Sequence, residues 1–222
     1  MLFVLAFFSE LLLLFLLSKA VTRMVSLLLY RVTHSKTVTI SLLALLFFPG
    51  TLLHELAHFL MAGILFVPVG DMELMPKIEG QNVKLGSVAI ARTDPIRRFL
   101  IGAAPFLFGT SLLLGILFSA AQNHLLHNPW MVLLIGYAAF EIGNTMFSSK
   151  KDMEGALELF GVLAFFVVLF YFLGVRLPAV TPTVLFANPI VLQVFQQGSL
   201  FLLIPLVIDL LLLLLLKIFR VY

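Results

Sequence analysis

Long, nearly uncharged apolar segments dominate this sequence and restrict what it can fold into. A helix that crosses the hydrocarbon core of a bilayer needs about 20 apolar residues. Six segments approach or exceed that length: residues 2–17, 38–66, 95–121, 129–147, 155–174 and 199–216. Of the 222 residues, 62% are hydrophobic and 11% are charged, and the mean hydropathy is +1.15. We therefore expect an all-α polytopic membrane protein with about six transmembrane helices, in a single domain over residues 1–222.

Single residues and short sequence features predict where three of these helices begin, bend or end. The first segment could continue to Leu29, and we interpret it as a retained span because it lacks the basic start and cleavage site of a signal peptide. The second is longer than one span needs and is interrupted at Pro49-Gly50, so it should be tilted, kinked or broken there. Asp94 is the predicted N-cap of the third, with Pro95 at the first helical position.

The second segment contains His54-Glu55-Leu56-Ala57-His58, an H-E-x-x-H pattern with apolar residues on both sides. Helical residues four apart share a face, so both imidazoles can reach one Zn²⁺ at about 2.0–2.1 Å. The glutamate can then take a proton from a water that the metal activates. The alternative, histidines that only pack in a helix bundle, would place three ionisable groups in a membrane segment without a partner ion, which is costly. The pattern predicts one zinc ion per chain.

Two imidazoles leave a catalytic zinc one protein ligand short, because such sites take three and keep one position open. The chain has no cysteine, so the third ligand must be a histidine or a carboxylate. The other histidines, His34, His124 and His127, lie in polar connections and are expected to be solvated. The carboxylates in or beside apolar segments are Glu10, Glu141, Asp152, Glu154, Glu158 and Asp209. Asp152, just before the fifth segment, could bind the metal or cap the next helix.

Residues 69–92, between the second and third segments, differ from the rest of the chain. Partly alternating residues flank Glu79-Gly80-Gln81-Asn82, a turn signal, and together they predict a membrane-associated β-hairpin. A plain polar loop is the alternative that the sequence leaves open. A strand edge beside a metal site could bind an extended substrate through main-chain hydrogen bonds.

The H-E-x-x-H motif in a membrane segment, with Asn144 and Asp152 about ninety residues later, resembles the site-2 protease family of intramembrane zinc metalloproteases. That family has a later N-x-x-P-x-x-x-L-D-G segment whose Asp is the third zinc ligand. The resemblance implies that His54, His58 and Asp152 are the zinc ligands. It also implies that Glu55 is the general base and that Asn144 positions the substrate.

The chain departs from the family pattern at several positions. Phe147 stands where the family has Pro, Lys151 where it has Leu, and Met153 where it has Gly. Residues 102–109 are similar to the family's A-G-P-x-x-N stretch but lack its Asn, so we expect only close helix packing there.

Two carboxylates fall outside this pattern. Glu141 lies one turn before Asn144 on the same helical face, and it could support the metal or accept a hydrogen bond from a buried main-chain donor. We favour the second role. Glu10 should face the bundle interior, and nothing ties it to the metal site.

The resemblance covers about residues 49–155 and implies a metalloprotease core over about residues 38–155. The implied activity is hydrolysis of peptide bonds in or near transmembrane segments of membrane-protein substrates. We expect a multi-pass protein of a bacterial or archaeal cell membrane, with the lipid bilayer and a transmembrane protein substrate as partners and no nucleic acid. A non-proteolytic metal-binding membrane protein, either a metal-ion transporter or an inactive scaffold, is the alternative, and it would not need Glu55 as a base.

Overall fold

The computed structural model describes residues 2–73, 77–79, 82–84, 86–147, 149, 152, 159, 161–162, 164–165, 168–169 and 189–218. This part of the chain is mostly helical. Its helices are α1 (Leu2–Thr33), α2 (Lys36–Leu46), α3 (Phe48–Ile64), α4 (Pro95–Gln122), α5 (Pro129–Thr145) and α6 (Pro189–Ile218), with a short 3-10 helix at Leu125–His127. The strands are β1 (Val69–Glu73), β2 (Lys77–Glu79), β3 (Asn82–Lys84) and β4 (Ser87–Ile90).

Three helices, α1, α4 and α6, are long and apolar enough to cross a membrane, and the bent pair of α2 and α3 could form a fourth span. α5 has 17 residues. At 1.5 Å per residue its length is about 25 Å, less than the roughly 30 Å of a hydrocarbon core. The predicted number of about six spans is therefore not confirmed. The predicted fifth span at residues 155–174 lies largely outside the described residues.

The local predictions about helix ends are confirmed. α1 continues past Leu29 to its end at Thr33. The axis bends by 68° between α2 and α3, and Pro49 lies in the first turn of α3, where its missing N–H costs no helical hydrogen bond. Asp94 caps α4, since its carboxylate accepts hydrogen bonds from two main-chain N–H groups of the first turn.

The apolar core lies where α1, α4, α5 and α6 meet, around the fully buried Leu14, Leu113 and Leu202. A second cluster surrounds Phe47, the residue at the bend between α2 and α3. Its ring stacks on Phe140 of α5, with the centroids 5.7 Å apart. This contact places the start of α3 beside the last turns of α5.

The predicted β-hairpin at residues 69–92 is confirmed in its strands, so the plain-loop alternative is wrong. β1 pairs antiparallel with β4, and Glu73 lies opposite Ser87. β2 pairs antiparallel with β3, and Glu79 lies opposite Asn82, at the predicted turn. β4 lies beside α3, so the strand pair borders the helix that carries the H-E-x-x-H motif.

Candidate metal centre

His54 and His58 lie one turn apart on α3 and converge with Asp152. The two rings meet edge to face, with centroids 4.9 Å apart. The Nε2 atom of His54 lies 3.6 Å from Oδ2 of Asp152, and the Nε2 atom of His58 lies 3.4 Å from Oδ1. One ligand atom from each of the three residues falls within 4.8 Å of the others. The structure thus brings together the three residues that the sequence predicts as ligands.

The spacing of these donor atoms suits a metal ion. Charge-assisted hydrogen bonds from nitrogen to carboxylate oxygen are about 2.7–2.9 Å long, shorter than the 3.4 and 3.6 Å seen here. Two ligands at about 2.0–2.1 Å from a tetrahedral Zn²⁺ are about 3.4 Å from each other. Two imidazoles and a carboxylate are also a donor set that zinc accepts. The residues present therefore fit one zinc ion.

Both imidazoles have their second nitrogen fixed by a main-chain carbonyl. Nδ1 of His54 lies 2.7 Å from the carbonyl oxygen of Thr145, and Nδ1 of His58 lies 2.8 Å from that of Ile101. Because a carbonyl only accepts, each Nδ1 carries the proton and donates it. The neutral ring then presents a lone pair on Nε2 toward Asp152, which is the tautomer that metal ligation requires.

These two carbonyls are available because neither has a helical partner. Thr145 is the last residue of α5, so its carbonyl lies beyond the hydrogen bonding of that helix. Within α4 the carbonyl of Ile101 would accept from residue 105, but Pro105 has no N–H to donate. Neither role was predicted from the sequence, although a proline inside a predicted span marks an unpaired carbonyl four residues earlier.

Asp152 is held by its own turn as well as by the imidazoles. Its Oδ2 accepts a 2.6 Å hydrogen bond from the main-chain N–H of Ser149, and its own N–H donates to the Ser149 hydroxyl at 3.3 Å. Burial raises the pKa of the carboxyl, but the Ser149 N–H and the hydrogen bonds that the imidazoles donate when Nε2 carries a proton hold the pKa well below its usual range. This favours the ionised carboxylate, which metal ligation requires. The helix that it could cap instead lies largely outside the described residues.

Gly102 of α4 sets the position of the Asp152 backbone. A Cβ atom at Gly102 would overlap the carbonyl oxygen of Asp152. The sequence predicted only close helix packing for residues 102–109, so the partner of this glycine was missed. Gly109 fits that prediction, because a Cβ atom there would overlap the side chain of Met146 at the end of α5.

Glu55 lies at the same cavity as the three ligands. The cavity has a volume of about 910 Å³, with α3 on one side and residues 86–93, which include β4, on another. Glu55 is 7% exposed and lines this cavity. A Cβ atom at Gly86 would lie 2.9 Å from Cγ2 of Thr51 and 3.3 Å from Oε1 of Glu55, so a larger residue there would crowd the carboxylate.

A second, smaller cavity of about 180 Å³ adjoins His54 between α3, α4 and α5. Its lining is almost wholly apolar and includes Leu53, Leu60, Phe108 and Leu112. An apolar group bound near the metal centre could therefore enter the helix bundle at this point.

Asn144 does not line either cavity. Its amide nitrogen donates to the carbonyl of Phe140 at 2.9 Å and to Oδ1 of Asp209 on α6 at 2.8 Å. Among the residues predicted for the site, it is the one that the structure places apart from the others. Its predicted contact with substrate stays a prediction.

The remaining polar residues have structural partners or lie at the surface. Glu141 accepts a 3.0 Å hydrogen bond from the N–H of Gly50, which confirms its predicted role as a partner of a main-chain donor. Glu10 faces the bundle interior, as predicted, and accepts from the Ser199 hydroxyl at 2.8 Å. The three histidines outside the motif, His34, His124 and His127, are exposed, as predicted. Glu154 and Glu158 lie outside the described residues.

Comparison with known proteins adds no relative. No family model matches this chain, and neither a curated protein nor a solved structure does.

Proposed function

We propose that the protein is an intramembrane zinc metalloprotease of the site-2 protease type, which hydrolyses peptide bonds in or near the transmembrane segments of other membrane proteins. The observation that carries this proposal is the convergence of His54, His58 and Asp152 at a cavity that also contains Glu55. The apolar helices of spanning length support a reaction at the membrane.

His54, His58 and Asp152 would hold the zinc ion through two Nε2 atoms and a carboxylate oxygen. When bound, zinc supplies Lewis-acid chemistry, which lowers the pKa of water and polarises the scissile carbonyl. The carboxylate of Glu55 then removes the proton of the attacking water and delivers it to the leaving amine. The burial of Glu55 suits this role, because few competing water molecules reach a buried base.

A transmembrane helix hides its carbonyl groups in its own hydrogen bonds, so a substrate must unwind locally before it is cut. Among the described strands, β4 pairs only with β1. Its other edge could therefore bind the unwound segment through main-chain hydrogen bonds, along the wall of the large cavity. The small apolar cavity beside His54 could accept an apolar side chain next to the scissile bond.

The test compares four detergent-purified proteins: the wild type, Glu55→Gln, His54→Ala/His58→Ala and His124→Ala/His127→Ala. The last is a matched control, because His124 and His127 also form a close ring pair, with centroids 5.7 Å apart, but are exposed and away from the site. Zinc content and cleavage of a panel of single-span substrates are measured for each.

We expect about one zinc ion per chain in the wild type, in the control and in Glu55→Gln, and little in His54→Ala/His58→Ala. Hydrolysis by Glu55→Gln should fall by at least the roughly 10²–10⁴-fold typical of lost acid–base catalysis. Undiminished proteolysis in that variant would contradict the mechanism, and stoichiometric zinc without His54 and His58 would contradict the site. Metal flux into liposomes that depends on both histidines, without any cleavage, would identify a transporter instead.

A further inference from the structure

Asp209 of α6 is a carboxylate that the proposed hydrolysis does not use. Its side chain is 0% exposed, and the residues that follow it in α6 are an uninterrupted run of leucines. Carboxylates inside membrane helices are costly and are commonly retained for a function. The Oδ1 atom of Asp209 accepts a 2.8 Å hydrogen bond from the amide nitrogen of Asn144.

Asn144 lies one residue before the carbonyl that orients His54. Its amide nitrogen also donates to the carbonyl of Phe140, so the side chain is clamped between its own helix and α6. The next residue, Thr145, ends α5, and its carbonyl accepts the 2.7 Å hydrogen bond from Nδ1 of His54. The bond between Asn144 and Asp209 therefore fixes the turn of α5 that presents this carbonyl.

The last turn of α5 is held from two sides. On the α6 side, Gly143 allows close approach, since a Cβ atom there would lie only 3.3 Å from Cβ of Pro205. On the α3 side, Glu141 accepts from the N–H of Gly50. The hydrogen bond from Asn144 to Asp209 adds a polar contact between this turn and α6.

We propose that Asp209 is a positioning residue for the metal centre, which acts through Asn144 and the Thr145 carbonyl to keep the His54 ring oriented for zinc. The inference rests on the metal centre of the proposed function and is independent of proteolysis. It also gives Asn144 a role in holding the ligand shell, in place of the substrate contact that the resemblance implies.

The test measures zinc affinity in detergent by competition with a chelator of known affinity. Residues that orient metal ligands typically contribute about 10–100-fold to metal affinity. Because Asp209 acts through two further groups, we expect Asp209→Leu to bind zinc about tenfold more weakly. Asp209→Asn retains an oxygen that can accept from Asn144 and should bind zinc as the wild type does.

The matched control is Glu10→Leu. It also removes a carboxylate that accepts a 2.8 Å hydrogen bond inside the bundle, between α1 and α6, but it does not touch the end of α5. This variant should have unchanged zinc affinity even if its melting temperature falls. Equal weakening by Glu10→Leu would show that zinc affinity reports only the stability of the bundle, and it would overturn the proposal.

Asn144→Leu provides a second test that does not depend on the folding of Asp209→Leu. It should weaken zinc to a similar extent, and the double variant should be no weaker than either single one, because both remove the same interaction. Wild-type zinc affinity in Asn144→Leu or in Asp209→Leu would overturn the proposal. A wild-type protein that binds no zinc would instead remove the metal centre itself, and with it the proposed function.

Discussion

Gly102 of α4 faces the main chain of Asp152 so closely that a Cβ atom at position 102 would overlap the Asp152 carbonyl oxygen. The preceding residue, Ile101, accepts the hydrogen bond from Nδ1 of His58. Two consecutive residues of α4 therefore support two of the three candidate ligands, although α4 contributes none of the three itself.

Gly102→Ala should displace Asp152 and weaken zinc binding without removing any ligand. Gly115→Ala is the matched control in the same helix, because no atom lies within 4 Å of a Cβ atom at Gly115. In a helix interior the control gains about 0.5–1 kcal/mol from the loss of glycine flexibility. Zinc affinity and melting temperature should thus separate the two variants. Tight zinc binding by Gly102→Ala would mean that the contact with Asp152 is not restrictive.

Pro105→Ala should weaken zinc binding while it repairs α4. The alanine restores an N–H that can donate to the Ile101 carbonyl, so the new hydrogen bond competes with the one from His58. We expect zinc affinity to fall within the roughly 10–100-fold range typical of groups that orient metal ligands. Pro129→Ala, at the first position of α5 where a proline replaces no helical hydrogen bond, is the control and should bind zinc normally. If both variants keep wild-type affinity, the proline is not needed to free this carbonyl.

Asp152→Asn should separate the metal ligand from the capping residue. Asn and Asp cap helices about equally well, so the substitution leaves capping intact while it removes the negative charge that Zn²⁺ favours. We expect a near-normal melting temperature, weak zinc binding and no proteolysis. Asp94→Asn at the start of α4 is the control, since Asp94 is an exposed cap away from the metal. Full zinc occupancy in Asp152→Asn would direct the search for a third ligand to Glu154 and Glu158.

Zinc should stabilise the folded protein by mass action. The three ligands come from α3 and from the turn after α5, so binding links parts of the chain that unfolding separates. At free zinc of 100 times the dissociation constant, the stabilisation is about 2.7 kcal/mol. The melting temperature of the wild type and of His124→Ala/His127→Ala should rise with zinc and fall with chelator. A similar rise in His54→Ala/His58→Ala would show that zinc acts elsewhere.

The features that could be predicted from the sequence depend on residues close together in the chain. The two histidines of the motif are four residues apart, and helical geometry alone places them on one face. The cap at Asp94 and the break near Pro49 are equally local, because each follows from the hydrogen-bonding capacity of one residue. The strand pairing within residues 69–92 could be predicted from the turn signal at the centre of this segment.

The features that could not be predicted depend on contacts between distant helices. The carbonyls of Thr145 and Ile101 lie 91 and 43 residues from the histidines they orient. Any residue type has a carbonyl, so side-chain identity does not reveal which one is used. The amide of Asn144 likewise hydrogen-bonds to Asp209, 65 residues away, a partner that neither the identity nor the spacing of Asn144 reveals. The predicted number of about six spans is not confirmed by the described residues, in which three helices and one bent pair have the length and composition of spans.

The imidazoles of α3 depend on two later helices, and this dependence sets an order of events during synthesis. His54 and His58 leave the ribosome long before Ile101, Thr145 and Asp152, so a nascent chain that ends within α4 has the motif but neither the partner of His54 nor the third ligand. If the three residues hold zinc as proposed, loading of the metal should follow insertion of the chain through residue 152. A ribosome-bound fragment that stops before that point should then emerge without metal, and so without the proposed proteolytic activity while the bundle is still being assembled.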